Sequence, residues 1–248
     1  MVLNAIPFFM GAQVNKKNLT DKVVTFLEFA AQQPAGFVYR SENCIRSHAC
    51  VPQTTVLTQN TTKKQQLEAL FAPFVACTQC PLGLQGRRQV VFGHGNPDAQ
   101  LMFVGEGPGR DEDAQGLPFV GRAGQLLTKI IEAIDLTRND VYISNVVKCR
   151  PPNNRTPLPD ESKTCKQLIL LKEIAIIQPT IICALGATAV QALLGENVTI
   201  TKARGVFHTL GTIPVMPTYH PAYLLRNPDA KRVVWEDMKK IRDRLNAL

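Results

Sequence analysis

Cys77 and Cys80 form a Cys-x-x-Cys turn, and far downstream Cys149 and Cys165 bracket a loop rich in Pro, Asn and Arg. A Cys-x-x-Cys turn aims two thiolates at one point, and a closed site needs two more that only the fold can bring in. This layout therefore constrains the fold. Four thiolates suit zinc or an iron–sulfur cluster. The pattern lacks the second Cys-x-x-Cys of a zinc ribbon, and the 68 residues between Cys80 and Cys149 exceed any zinc-finger loop, which favours iron–sulfur on spacing. The bland alternative is four small buried hydrophobes, a common fate of free cysteine.

The chain's 248 residues, 45% of them hydrophobic, are enough for one ordinary α/β domain with a small appendage. A formal net charge of +8 and a pI of about 9.2 suggest a polyanionic partner such as nucleic acid, although a merely soluble basic surface has the same charge. Seven cysteines, an odd number, without a convincing signal peptide point to a reducing cytoplasm. The opening Met1–Met10 is apolar but has no positive leading region and meets Lys16-Lys17 too soon to read as an export signal or membrane anchor.

Residues 1–62 read as an appended extension and linker, with one periodic apolar stretch from Val23 to Ala31 and then a Thr, Gln and Asn rich segment. Its five basic residues against three acidic ones leave most of the positive charge to residues 63–248. Cys44, His48 and Cys50 suggest a second metal site, but no fourth ligand is visible nearby. From Lys63 the pattern alternates as βα units. A helix runs through Leu67 and Phe71 into the Cys-x-x-Cys, and apolar runs follow at Leu101–Val104, Val141–Val147, Thr180–Leu185 and Ile213–Thr218. Helical spacing marks Ala123–Ile134, Glu161–Ile177, Ala187–Leu194 and Ala230–Leu245. These segments predict an α/β fold, a three-layer α/β/α sandwich with a central four-stranded parallel sheet, whose ligands collect at the carboxyl ends of the strands.

Three of those strand ends carry unusual chemistry. The first leads into Gly105-Glu106-Gly107-Pro108-Gly109, where glycines let a ligand approach the backbone and the acids that follow offer acid/base groups. It is not a dinucleotide fingerprint, because Arg110 stands where the third glycine belongs. The second ends in Asn145, whose amide matches the edge of a pyrimidine, followed by Cys149, Arg150 and Arg155. The fourth leads into His220, poised to donate to a ligand, and then Leu224-Leu225-Arg226, which could wedge into a duplex beside its phosphates.

Taken together, the Cys-x-x-Cys, Gly105–Gly109, Leu117–Gly124, Ser144–Pro152 and Thr218–Arg226 motifs resemble those of the iron–sulfur, family 4 uracil-DNA glycosylases, in the same order over about residues 64–246. The resemblance implies one 4Fe-4S cluster on Cys77, Cys80, Cys149 and Cys165. It implies hydrolysis of the N-glycosidic bond of deoxyuridine in DNA, leaving free uracil and an abasic site. The partner would be uracil-containing DNA, single- or double-stranded, without a membrane, and the protein a cytoplasmic, nucleoid-associated monomer. Phe119 matches the aromatic on which uracil stacks, Asn145 the reader of its edge, and His220 the stabiliser of charge developing on O2. Glu106 occupies the place of a water-activating or cation-stabilising acid. Gly107 stands where some uracil glycosylases carry a tyrosine against the thymine methyl, which leaves Glu112 to fill that space. Arg150, Arg155, Leu224, Leu225 and Arg226 are the expected DNA contacts. One rival is a uracil-binding or covalently trapping relative, although the stretch Thr201–His208 is short and lacks a basic run. Another is a non-enzymatic iron–sulfur protein that binds nucleic acid, a reading that leaves Glu106, Phe119, Asn145 and His220 unexplained together.

Overall fold

The computed structural model describes residues 61–247. The apolar stretch from Val23 to Ala31 and the Cys44, His48 and Cys50 group lie outside the described residues. Thr62 caps the first helix, α1 (Lys63–Phe71), by accepting from Gln65 N while the Gln65 side chain accepts from the Thr62 amide. The four apolar runs become β2 (Leu101–Gly105), β3 (Tyr142–Asn145), β4 (Ile181–Leu185) and β6 (Ile213–Thr218), adjacent and parallel in the order β3-β2-β4-β6. Every residue of β2, β3 and β4 is buried, as a sheet covered on both faces requires.

The sheet has six strands rather than four. β1 (His94–Gly95) pairs antiparallel with β3 at one edge, and β5 (His208–Leu210) pairs antiparallel with β6 at the other. Segments of two and three residues have no room for an alternating apolar pattern, so neither edge left a periodic signal in the sequence.

Successive side chains of a strand point to opposite faces, which divides the core in two. Leu101, Phe103, Ile143, Cys183, Leu185 and Met216 meet α3 (Arg122–Glu132) through Leu127 and Ile131, and α9 (Ala230–Asn246) through Val234, Met238 and Ile241. On the other face, Ser144 donates to the Glu173 carboxylate of α5 (Leu171–Ile177), and α6 (Ala187–Leu194) packs on β4. α5 continues α4 (Pro159–Cys165) through a π-helical turn at Lys166–Leu170, which breaks the single expected helix just after Cys165. Three short helices replace expected loop: α2 (Arg110–Gln115), α7 (Ile200–Ala203) and α8 (Pro221–Arg226). No described helix is long and apolar enough to cross a membrane.

Candidate active site

The chain reverses its winding direction between β2 and β4, and beyond their carboxyl ends opens a cleft of about 530 Å³. It is lined by Glu106, Gly107, Glu112, Phe119, Asn145 and His220, among others. The six residues come from the ends of β2, β3 and β6, from α2 and from the loop between α2 and α3, so the fold brings together what the sequence keeps over a hundred positions apart.

The parallel ladder continues past β2 and β3, with Val146 N donating to Gly105 O and Val147 N to Glu106 O, which fixes the two loops side by side. Asn145 is only 2% exposed, and its Oδ1 has no hydrogen-bond partner. A buried amide oxygen left unpaired carries a desolvation penalty unless a ligand satisfies it. Gly105 makes room for this arrangement. A Cβ there would stand 2.6 Å from Asn145 Oδ1 and collide with the Phe119 ring.

Phe119 is buried at a left-handed φ of 54°, and its ring lies 5.5 Å from the His220 ring, the planes inclined by 29°. Gly124, in the first turn of α3, allows the close approach. A Cβ there would overlap the Phe119 carbonyl. His220 caps α8, with Nδ1 accepting from Ala222 N at 3.1 Å, so the ring proton sits on Nε2. Burial, reinforced by the nearby Arg226 cation and opposed by Glu112, lowers the imidazole pKa to about 4. The ring is a neutral N–H donor at physiological pH.

Glu106 accepts from Thr188 Oγ1 on α6, which orients its carboxylate at the mouth of the cleft. Glu112 makes three bonds to backbone amides: Oε2 accepts from Gly109 N at 3.1 Å, and Oε1 from Val120 N at 2.9 Å and Gly121 N at 2.8 Å. Its carboxylate is a fixed wall of the cleft. Gly107 packs on Val147, where a Cβ would come within 2.6 Å of a methyl group. His208 in edge strand β5, which the trapping alternative needs, bonds through Nε2 to Ala203 O at the end of α7 and does not line the cleft.

The four cysteines converge on a second, small cavity next to the β3 loop. Cys149 and Cys165 are buried, and Cys77 and Cys80 half-buried. The four thiols ring one space, a donor set that suits zinc or an iron–sulfur cluster. Burial pushes Cys149 up to about 11 and Cys165 up to about 12, and charge on the neighbouring thiols adds to both. Arg87 Nη1 meets Cys149 Sγ at 3.4 Å and offsets part of that charge.

The expected DNA contacts divide. Leu224 is 1% exposed and belongs to the core with α3 and α9, so it cannot enter a duplex. The turn of α8 places Leu225 and Tyr223 outward instead, 39% and 38% exposed. Arg155 is gripped bidentately by the buried Glu161, both contacts at 2.8 Å, so its charge is balanced within the loop. Arg150 lines the cleft and bonds Asn154 Oδ1 at 2.8 Å, and Arg226 is exposed at the end of α8.

Sequence reasoning missed Lys148, which stands between the apolar run Val141–Val147 and Cys149. It is 1% exposed, pairs with Glu173 and Ser144, and donates to the Asn145 carbonyl at 2.9 Å, bracing the reader residue from behind. It also missed Thr188 and Arg138, which no local pattern marks.

An aromatic floor, an unpaired buried amide and a neutral imidazole N–H around a cleft at the switch point of a doubly wound sheet define a pocket for a flat heteroaromatic ring. Residues 92–239 match the model of the Uracil DNA glycosylase superfamily, and the chain belongs to that family. A Type-4 uracil-DNA glycosylase of Thermotoga maritima is 51% identical over 183 residues, 72% of this chain and 94% of that protein. A Type-4 uracil-DNA glycosylase of Sulfurisphaera tokodaii is 46% identical over 186 residues, 71% of this chain and 84% of its own length. A Type-5 uracil-DNA glycosylase of Thermus thermophilus is more distant, 27% identical over 159 residues, 52% of this chain and 72% of that one.

Proposed function

We propose that the chain is a uracil-DNA glycosylase that hydrolyses the N-glycosidic bond of deoxyuridine in DNA, in residues 63–248, with residues 1–62 an extension outside the catalytic domain. The observation that carries this reading is the unpaired Asn145 Oδ1, buried beside the Phe119 ring and the His220 N–H. A uridine turned out of the helix stacks on Phe119. Asn145 Oδ1 accepts from uracil N3–H while its amide N–H donates to O4. Cytosine presents an acceptor and a donor in those places and is refused. As the glycosidic bond breaks, negative charge moves onto the base, and the His220 Nε2–H donates to O2. Because His220 is neutral it stabilises the anion by hydrogen bonding while remaining a weak acid, so the base leaves as a stabilised anion. Glu106, held by Thr188, faces the sugar side, where a carboxylate stabilises the developing cation and orients the attacking water.

A hydrophobic pocket rejects one methyl group by only about 1–3 kcal/mol. The rigid Glu112 carboxylate supplies a steric wall against the thymine methyl, and its three backbone bonds prevent it from yielding. Cys77, Cys80, Cys149 and Cys165 would hold one 4Fe-4S cluster, which when bound supplies a cross-link between the Cys-x-x-Cys turn, the Asn145 loop and α4. Arg150, Leu225 and Arg226 meet the DNA around the cleft, in keeping with the chain's net charge of +8.

The test is release of uracil from a labelled single-stranded oligonucleotide in metal-free buffer. Wild-type protein releases uracil and leaves thymine, His220→Ala is slower by roughly 10²–10³, and Glu112→Ala gains measurable thymine release. No release by cluster-loaded wild-type protein overturns the reading, and a stable DNA adduct in its place supports a trapping relative. Failure of Glu112→Ala to release thymine removes the wall alone.

A further inference from the structure

The turn that carries Phe119 is held from both sides. Arg138, in the loop between α3 and β3, donates through Nη1 to the Phe119 carbonyl at 3.0 Å and through Nη2 to the Pro118 carbonyl at 2.9 Å. Thr128 Oγ1 of α3 gives Nη1 a further contact at 3.4 Å. Across the turn, Glu112 accepts from the amides of Val120 and Gly121 on a single oxygen. One backbone group on each of four consecutive residues, two carbonyls and two amides, is thus fixed by one guanidinium and one carboxylate. Between them Phe119 keeps φ at 54°, a region that a bulky non-glycine residue occupies only where its surroundings over-determine it. Arg138 itself does not line the cleft.

We infer that Arg138 is a positioning residue that, opposite Glu112, holds Phe119 as a preformed stacking platform for the extruded pyrimidine. The inference rests on the proposed uracil-binding role of the cleft. Without the Arg138 fork, the two carbonyls lose charge-assisted bonds and the turn relaxes toward ordinary φ, so the ring has to be ordered each time a base arrives. Lysine cannot substitute fully, because one ammonium does not reproduce a planar fork to two carbonyls.

Free uracil is the probe, since it needs the platform but none of the DNA contacts. Its dissociation constant is measured by calorimetry on the full-length, cluster-loaded protein, and its inhibition of oligonucleotide cleavage in parallel. Arg138→Ala weakens uracil binding roughly tenfold, the factor expected if the stacking-competent conformer falls to about a tenth of the population. In a Phe119→Ala background, Arg138→Ala has no further effect on uracil binding, because the platform it holds is already gone. Unchanged uracil affinity in Arg138→Ala, or a loss that adds in full to that of Phe119→Ala, overturns the inference. Should Arg138→Ala not fold, Arg138→Lys, which keeps the charge, carries the same cycle with a smaller loss, and an unchanged or fully additive result there overturns it equally. Wild-type protein that neither releases nor binds uracil would instead sink the functional reading itself.

Discussion

At His220 one backbone hydrogen bond and one buried setting decide the chemistry. The Ala222 amide takes Nδ1 and leaves the proton on Nε2, while burial lowers the pKa from its ordinary 6.5 to about 4. The expected outcome is a neutral Nε2–H tautomer from pH 5 to 8, read from the ring ¹⁵N shifts, and a pH–rate profile with no inflection from this residue near 6.5. A ring that titrates near 6.5 would contradict the assignment. The same depression fixes a stability trend. Below pH 6.5 the unfolded chain protonates His220 and the folded one does not, so this residue lowers stability progressively as pH falls toward 4. Wild-type Tm should therefore drop more steeply across that window than the Tm of His220→Asn. That His220 lies at the cleft was legible in the sequence from its place after an apolar run. Its protonation state was not, because burial and the proximity of Arg226 come from packing.

At the scale of one element, α8 shows how a helix divides neighbours that a linear reading treats alike. Leu224 and Leu225 are adjacent in sequence, yet a helix turns successive side chains by about a hundred degrees, sending one into the core and the other to the surface. Leu224→Ala should cost about 2–5 kcal/mol of stability through the cavity it leaves, seen as a lowered Tm. Leu225→Ala should leave Tm within the ±0.5 kcal/mol range of a surface change and slow uracil release from double-stranded substrate more than from single-stranded. If both variants lose stability equally, or neither changes the duplex preference, the division is wrong. The sequence showed the Leu-Leu-Arg motif but read it as loop, since Pro221 at the first helical position and a length of six residues leave no periodic signature. The Gly-rich segment behaved similarly, with Arg110–Gln115 folding as α2 and so converting Glu112 from a loop acid into a backbone clamp.

Across the whole molecule, the cysteine cavity draws together three parts of the chain: the turn after α1, the loop after β3 and the end of α4. Removal of the metal by oxidation and chelation should lower stability by about 4 kcal/mol, the chain-entropy value of a cross-link closing a loop of roughly 70 residues, with visible absorbance lost in step. A protein with all four cysteines replaced that keeps its Tm would show the cavity to be ordinary core. The βα order, the helices on both faces and the cysteine set could be read from residue type and local period, which also marked Glu106, Asn145 and His220 as strand-end candidates, whereas Phe119 was singled out only by the family resemblance. Periodicity is a property of neighbours along the chain. The two edge strands, the Arg155–Glu161 pair, the Lys148–Glu173 pair behind Asn145 and the Arg138 grip on Phe119 depend instead on groups separated in sequence, from 6 residues apart for Arg155 and Glu161 to 49 for His94 and Ile143 across β1 and β3. Only the closed fold, by removing water from those charges and holding each beside its partner, determined what they do.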